Sequence, residues 1–165
     1  MSALRPVVLV GIALIFGMLL PGAVAQAAQP APPVVRQLPA NPRSPAFRFG
    51  LEGGFSTLGS FTVTIYTDGR VSLKKEQRSS PIHLIKSREK VYPIALTGLL
   101  RLANAEHFFS MPARIIPKHP TSDLATAFVS VYTRTGVKTV KVVGNNPKRF
   151  YELYSLLNYV AGAAS

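Results

Sequence analysis

Three histidines, seven carboxylates and no cysteine set the chemistry open to this chain. A metal centre needs ligands at helical or turn spacing, as in His-Glu-x-x-His. His83, His107 and His119 fall in separate segments, and Glu106-His107 has no second histidine four residues on. Glycoside hydrolysis needs two facing carboxylates, and the seven here are isolated from one another along the chain. A Gly-x-Ser-x-Gly elbow is absent, and a cysteine nucleophile is impossible. Serine acting with histidine stays open, but no spacing favours it. The expectation is a protein that is not an enzyme, with no metal and no cofactor.

Two stretches remain that suit binding. Gly53-Gly54 heads the run GGFSTLGS, which lacks the following helix and the Lys-Ser/Thr pair of a phosphate-cradling loop. A turn needing positive φ explains the glycines, and Phe55 and Leu58 are then loop residues of the kind that anchor interfaces. The second stretch carries Lys74, Lys75, Arg78, Lys86, Arg88 and Lys90 against Glu76 and Glu89. Such a run is either a solvated loop or a patch for an anionic partner. Nucleic-acid binders interleave stacking aromatics with their cations, and only Tyr92 lies near, so nucleic acid is disfavoured.

The address of the protein is written in its first residues. Arg5 precedes an apolar run of 14 residues, Val7 to Leu20, then a Pro21-Gly22 break and small residues at Ala23, Ala25 and Ala27. That is the layout of a secretory signal peptide over residues 1–27. The run is short of the roughly 20 residues a membrane span needs. The expectation is therefore an exported, extracytoplasmic protein with no membrane span after cleavage. Loss of Arg5 with the leader leaves 18 Lys and Arg against 7 Asp and Glu, a net charge of +11. Prolines at 30, 32, 33, 39, 42 and 45 mark residues 28–45 as an extended linker with no packed structure. Residues 46–163 are left for one domain, which must hold together by apolar packing without disulfides.

The elements that would position these stretches follow from periodicity. Phe47, Phe49 and Leu51 alternate with Arg48, Gly50 and Glu52, predicting a strand over 46–52. Phe61, Val63 and Ile65 alternate with Thr62, Thr64 and Tyr66, giving a second. Asp68-Gly69 predicts a tight turn with both residues central, and Val71 and Leu73 a third strand. Residues 76–90 read as irregular, with a short strand allowed at 82–85. Pro93 opens a helix with a stripe of Leu96, Leu99, Leu100 and Ala103, ending near His107. Phe108, Phe109 and Met111 are expected to plug the core. Strands at 125–133 and 137–143 form another hairpin, with Lys138 and Lys141 set opposite Val140 and Val142. Asn146 and Pro147 open a last helix whose buried face is Phe150, Leu153, Leu156, Leu157 and Val160. The fold class is α+β: β-β-β-α-β-β-α, about five antiparallel strands with both helices on one face.

Several of these motifs recur in known groups. FTVTIYTDGRV, then Pro-x-x-Leu-x-x-Leu-x-x-Leu closing on Phe108-Phe109, then Ser122-Asp123, resembles an exported bacterial domain of unknown function. That group carries a cysteine pair where GGFSTLGS stands here without one. Gly53-Gly54-Phe55, FFSMP at 108–112 and the closing hairpin and helix are similar to emfourin, an inhibitor of thermolysin-type metallopeptidases. The likeness covers about residues 47–162. It implies an exported peptidase as partner, met through the loop that holds Gly53, Gly54 and Phe55. The basic insertion at 76–90 departs from that pattern.

Two functions follow from this reading. One is an exported binding module that inhibits a metallopeptidase through the 53–59 loop. The other is a basic domain that binds the anionic cell-envelope surface, lipid or wall polymer, through Lys74 to Lys90. Both require export, and N-terminal sequencing of secreted material is expected to begin at Gln26 or Ala28. Soluble cytoplasmic protein that retains Met1 would contradict it.

Overall fold

Phe47 and Phe49 have no solvent exposure, while Arg48 between them is exposed, so the alternation read from the sequence is a strand with one core face. The computed structural model describes residues 35–53, 59–77, 80–119, 124–144 and 147–162, with 77 and 80–89 traced through their backbone. The first strand, β1 (Pro45–Glu52), pairs antiparallel with β2 (Ser60–Tyr66), which pairs with β3 (Arg70–Gln77), which pairs with β4 (Ser80–Lys90). Gly69 takes φ +84° and donates its N–H to the Tyr66 carbonyl, while Asp68 keeps negative φ. The central turn residues are thus Thr67 and Asp68, with glycine in the left-handed position after them, and not Asp68-Gly69 as expected. Glycine is needed there because an added Cβ would lie 2.2 Å from the Val91 carbonyl oxygen.

A helix, α1 (Pro93–Ala105), follows, with proline in its first turn, and then a single 3-10 turn at Phe108–Ser110. A two-residue strand β5 (Arg114–Ile115), the hairpin β6 (Thr126–Thr133) and β7 (Gly136–Val143), and helix α2 (Lys148–Gly162) complete the chain. β1 pairs antiparallel with β6, so the sheet order is β4-β3-β2-β1-β6-β7-β5. The result is an α+β domain of six full strands, the short β5 and two helices.

Cross-strand registers line up the core. Leu73, Val63, Phe49, Val129 and Val140 form one row, and Val71, Ile65, Phe47 and Val131 the next. Leu96, Leu99, Leu100 and Ala103 of α1, and Phe150, Leu153, Tyr154, Leu157 and Ala161 of α2, join the same apolar cluster. The α1 stripe is the one its leucine spacing predicts.

Four expectations need correction. Residues 76–90 are strand: β3 runs to Gln77 and β4 covers Ser80–Lys90. The basic residues hid the strand, because charge is what keeps an outermost strand from pairing with another chain. The β5 pairing, parallel to β7, was not foreseen, since two residues carry no period. The buried stripe of α2 includes Tyr154 and Ala161, while Leu156 is exposed and Val160 partly so. Positions 150, 153, 154, 157 and 161 keep one helical face, which the longer apolar list had blurred. Lys138 shares the parity of Val140 and Val142, and its Nζ donates to the Met111 carbonyl at 2.6 Å. Phe61, Phe109 and Met111 pack against the core from partly buried positions, and Phe108 is the residue fully inside.

From residue 35 onward the proline-rich stretch is fastened down, against the expectation of a linker with no packed structure. Arg36 donates to Asn104 Oδ1 at the end of α1 and stacks 4.1 Å from the Phe109 ring centroid. The Gln37 carbonyl accepts from the Arg134 N–H at the β6–β7 turn, and Leu38 packs on the core. The Pro42 and Ser44 carbonyls accept from the N–H groups of Asp68 and Thr67. These bonds tie residues 36–44 across the ends of the strands. The signal peptide proposed for residues 1–27 and the N-cap Asn146 lie outside the described residues.

Aromatic contacts seat α2. Tyr154 meets Phe49 edge-on at 5.8 Å and stacks with Phe150 at 6.0 Å. Burial, then the neighbouring Tyr151, pushes the Tyr154 phenol up to about 12, against a smaller opposing effect of Asn158. Below pH 10 the folded and unfolded chains both keep this proton. Between about pH 10 and 12 the unfolded chain loses it and the folded chain does not, so stability falls across that window. Urea midpoints are expected to drop from pH 10 to 12, and Tyr154→Phe to flatten the drop; an unchanged slope in the variant would contradict the buried, neutral phenol.

Candidate functional site

Side chains out of phase with the core form the outer face of the sheet. Its central register is Lys74, Thr62, Gly50, Phe128 and Lys141, from β3 across to β7. The next register is Ser72, Thr64, Arg48, Ser130 and Thr139. Lys86 pairs with Ser72 and Lys90 with Arg70 at the outer strand. Arg48, Arg70, Lys74 and Lys90 are exposed. Cations from β4, β3, β1 and β7 therefore meet on one surface.

Four of these cations have a distinct partner. Arg70 Nε binds Asp68 Oδ2 at 2.7 Å, and its guanidinium lies 4.9 Å from the Tyr66 ring. Lys74 Nζ meets Glu76 Oε1 at 2.5 Å, and Lys141 Nζ meets Glu52 Oε2 at 2.5 Å. Arg48 forms no ion pair among the described residues, and its guanidinium lies 5.8 Å from the Phe128 ring. Desolvation works to raise the Asp68 carboxyl. The side-chain and backbone hydrogen bonds of Arg70, with the charges of Arg70 and Lys90, outweigh it and hold the group below the usual carboxylate range. The hydrogen bond and charge of Lys74 do the same for Glu76. Exposed pairs of this kind contribute little to stability, so they orient side chains more than they hold the fold.

Phe128 is 3% exposed although it lies outside the core rows. Its register partner Gly50 has no side chain to compete for space. Glycine is required at that point, because a Cβ on residue 50 would lie 2.0 Å from the Phe61 carbonyl oxygen. Ser130 is also buried, with its hydroxyl 2.8 Å from that of Thr139.

Of the residues singled out in the sequence, Lys74 falls on this face, with Lys86 and Lys90 at register positions alongside it. Lys75 pairs with Phe61 and so belongs to the opposite parity. Arg88 lies within β4 without a paired partner on β3, where the register shifts. Arg78 lies outside the described residues, as do Gly54, Phe55 and Leu58. Gly53 is described: it is exposed at φ +68°, with open space where a Cβ would stand. Arg48, Arg70 and Lys141 were not singled out. Their signal was present as the polar half of each strand's alternation, but only strand order brings those halves together.

Among the described residues, no three of His, Cys, Asp and Glu form a group that could hold a metal ion. No helix among them is long and apolar enough to cross a membrane. No protein-family model and no curated protein matches this chain. The likeness to emfourin therefore rests on the short motifs themselves.

The centre of the face depends on Gly50. Gly50→Ala is expected to lower unfolding free energy by about 2 kcal/mol or more, because the clash is with backbone that cannot rotate away. A urea titration giving a loss under about 0.5 kcal/mol would show that β1 and β2 part without cost.

Proposed function

We propose that the protein is an exported, non-enzymatic module that binds an anionic surface of the cell envelope through its basic face. The observation that carries this reading is the β3–β4 ladder. It gathers Lys74, Lys86 and Lys90 beside Arg70, where the sequence alone left a scattered basic loop. The excess of cations over carboxylates across the whole chain, 19 against 7, supports the same reading. Lys75 and Arg88 belong to the same two strands and add to their positive charge.

Binding of this kind weakens as the screening length shortens, from about 30 Å at 0.01 M to about 8 Å at 0.15 M salt. Secreted protein is expected to be retained on phosphatidylglycerol vesicles or on phosphate-bearing wall polymer at low salt and released at moderate salt. Lys74→Glu combined with Lys90→Glu should abolish retention. Retention that ignores both salt and charge reversal would sink the proposal.

A second reading is favoured by Gly53, which takes positive φ in open surroundings directly after the central strand β1. Under it, the protein inhibits a thermolysin-type peptidase at stoichiometric concentration, and Phe55→Ala weakens inhibition by more than about 1 kcal/mol. A panel of such peptidases left fully active would remove it.

A further inference from the structure

The outer face reaches well beyond the β3–β4 hairpin, and its composition narrows the ligand. Neighbouring strands lie about 4.8 Å apart, so cations on β4, β3, β1 and β7 span roughly 24 Å across the strand direction. Between them lie hydroxyls at Thr62, Thr64, Ser72 and Thr139, all half-buried. A surface of spaced cations with hydroxyls between them matches a chain of repeated anionic and oxygen-rich units. Its charges fit the partner by sign, and its hydroxyls supply neutral donors between them.

Two other anionic partners fit less well. Peripheral membrane binding couples basic residues with exposed apolar side chains that enter the bilayer. Here Ile94, Leu156 and Tyr159 are exposed but belong to α1 and α2, whose apolar stripes pack on the other face of the sheet, and Tyr92, though only two residues past Lys90, stands alone at the start of α1. Val137 is the one large exposed apolar residue at an outer-face register position among the described residues. Single-stranded nucleic acid stacks its bases on open aromatic rings. Phe128 is buried, and Arg70 already stacks against Tyr66.

We propose that the ligand of the outer face is a linear polyanion of repeating phosphate units, laid across the strands from Lys90 and Arg70 over Arg48 toward Lys141. Arg48 is the central contact, because it is exposed and is held by no carboxylate among the described residues. This rests on the envelope-binding reading above and names its ligand class and its track.

The test uses the secreted protein with three probes at low salt: long-chain inorganic polyphosphate, phosphatidylglycerol vesicles and a single-stranded oligonucleotide, matched in total charge. Polyphosphate is expected to bind tightest. Arg48→Glu should weaken that binding by about tenfold or more, since reversing a contact charge replaces attraction with repulsion. Arg48→Gln should give a smaller loss in the same direction, with an unchanged melting temperature showing that the fold is intact. If Arg48→Glu and Arg48→Gln both bind like the wild type while Lys74→Glu with Lys90→Glu does not, the ligand stops at the hairpin. The track is then wrong, although the envelope-binding reading stands. Tighter binding to vesicles or to the oligonucleotide overturns the polyphosphate class in favour of that probe. Wild-type protein that binds none of the three fails the envelope-binding reading itself.

Discussion

The pairing of β1 with β6 is the constraint on which the remaining structure rests. Phe47 against Val131 and Phe49 against Val129 join two systems of locally paired strands into one sheet. Both phenylalanines are fully buried, and both helices close over the rows they begin. A shift of one residue in this register would send every side chain of β1 to the wrong face. It would put Arg48 into the apolar cluster, which no ion pair among the described residues could offset. The same pairing builds the outer face, because Arg48 and Gly50 stand beside Ser130 and Phe128 only in this register.

Core and outer face are therefore two products of one ladder, made by very different forces. The core rows gain from removing apolar area from water, about 25 cal/mol per Å², and tolerate no gap. The outer face gains little from its ion pairs, which are exposed and screened. Its carboxylates nevertheless fix where three of the cations stand. Asp68, Glu76 and Glu52 each hold one cation at a fixed place, which leaves Arg48 with a charge that is not internally balanced.

Much of the architecture was legible in the chain. The alternation at 47–52 and 61–66 and the leucine spacing of α1 each reflect a local rule, and each describes the folded molecule closely; the glycine after Asp68 marked the turn but not its central residues. What escaped was non-local or masked by charge. No period in the sequence states that a strand at 45–52 pairs with one at 126–133. The β4 strand carries lysine and arginine because it is outermost, and those residues make it read as loop. The segment from Arg36 to Ser44 looks like a free tether because its prolines cannot enter a ladder, yet its carbonyls still accept bonds from Arg134, Thr67 and Asp68. For the candidate site, the β3–β4 cations could be read from composition, whereas Arg48, Arg70 and Lys141 could be assembled only by strand order.

That fastened segment also has a mechanical meaning. Tension applied to the chain ahead of residue 35 would first meet the Arg36 clamp on Asn104 and Phe109, then the single bond from Arg134 to Gln37. Next in line are the bonds at Pro42 and Ser44, and only then does load reach β1, which is held along both of its edges. Each early attachment is one or two weak bonds that open singly, while β1 resists as a whole ladder. The strap is thus a graded lead-in to force, whose release uncovers only the patch of core on which Leu38 packs.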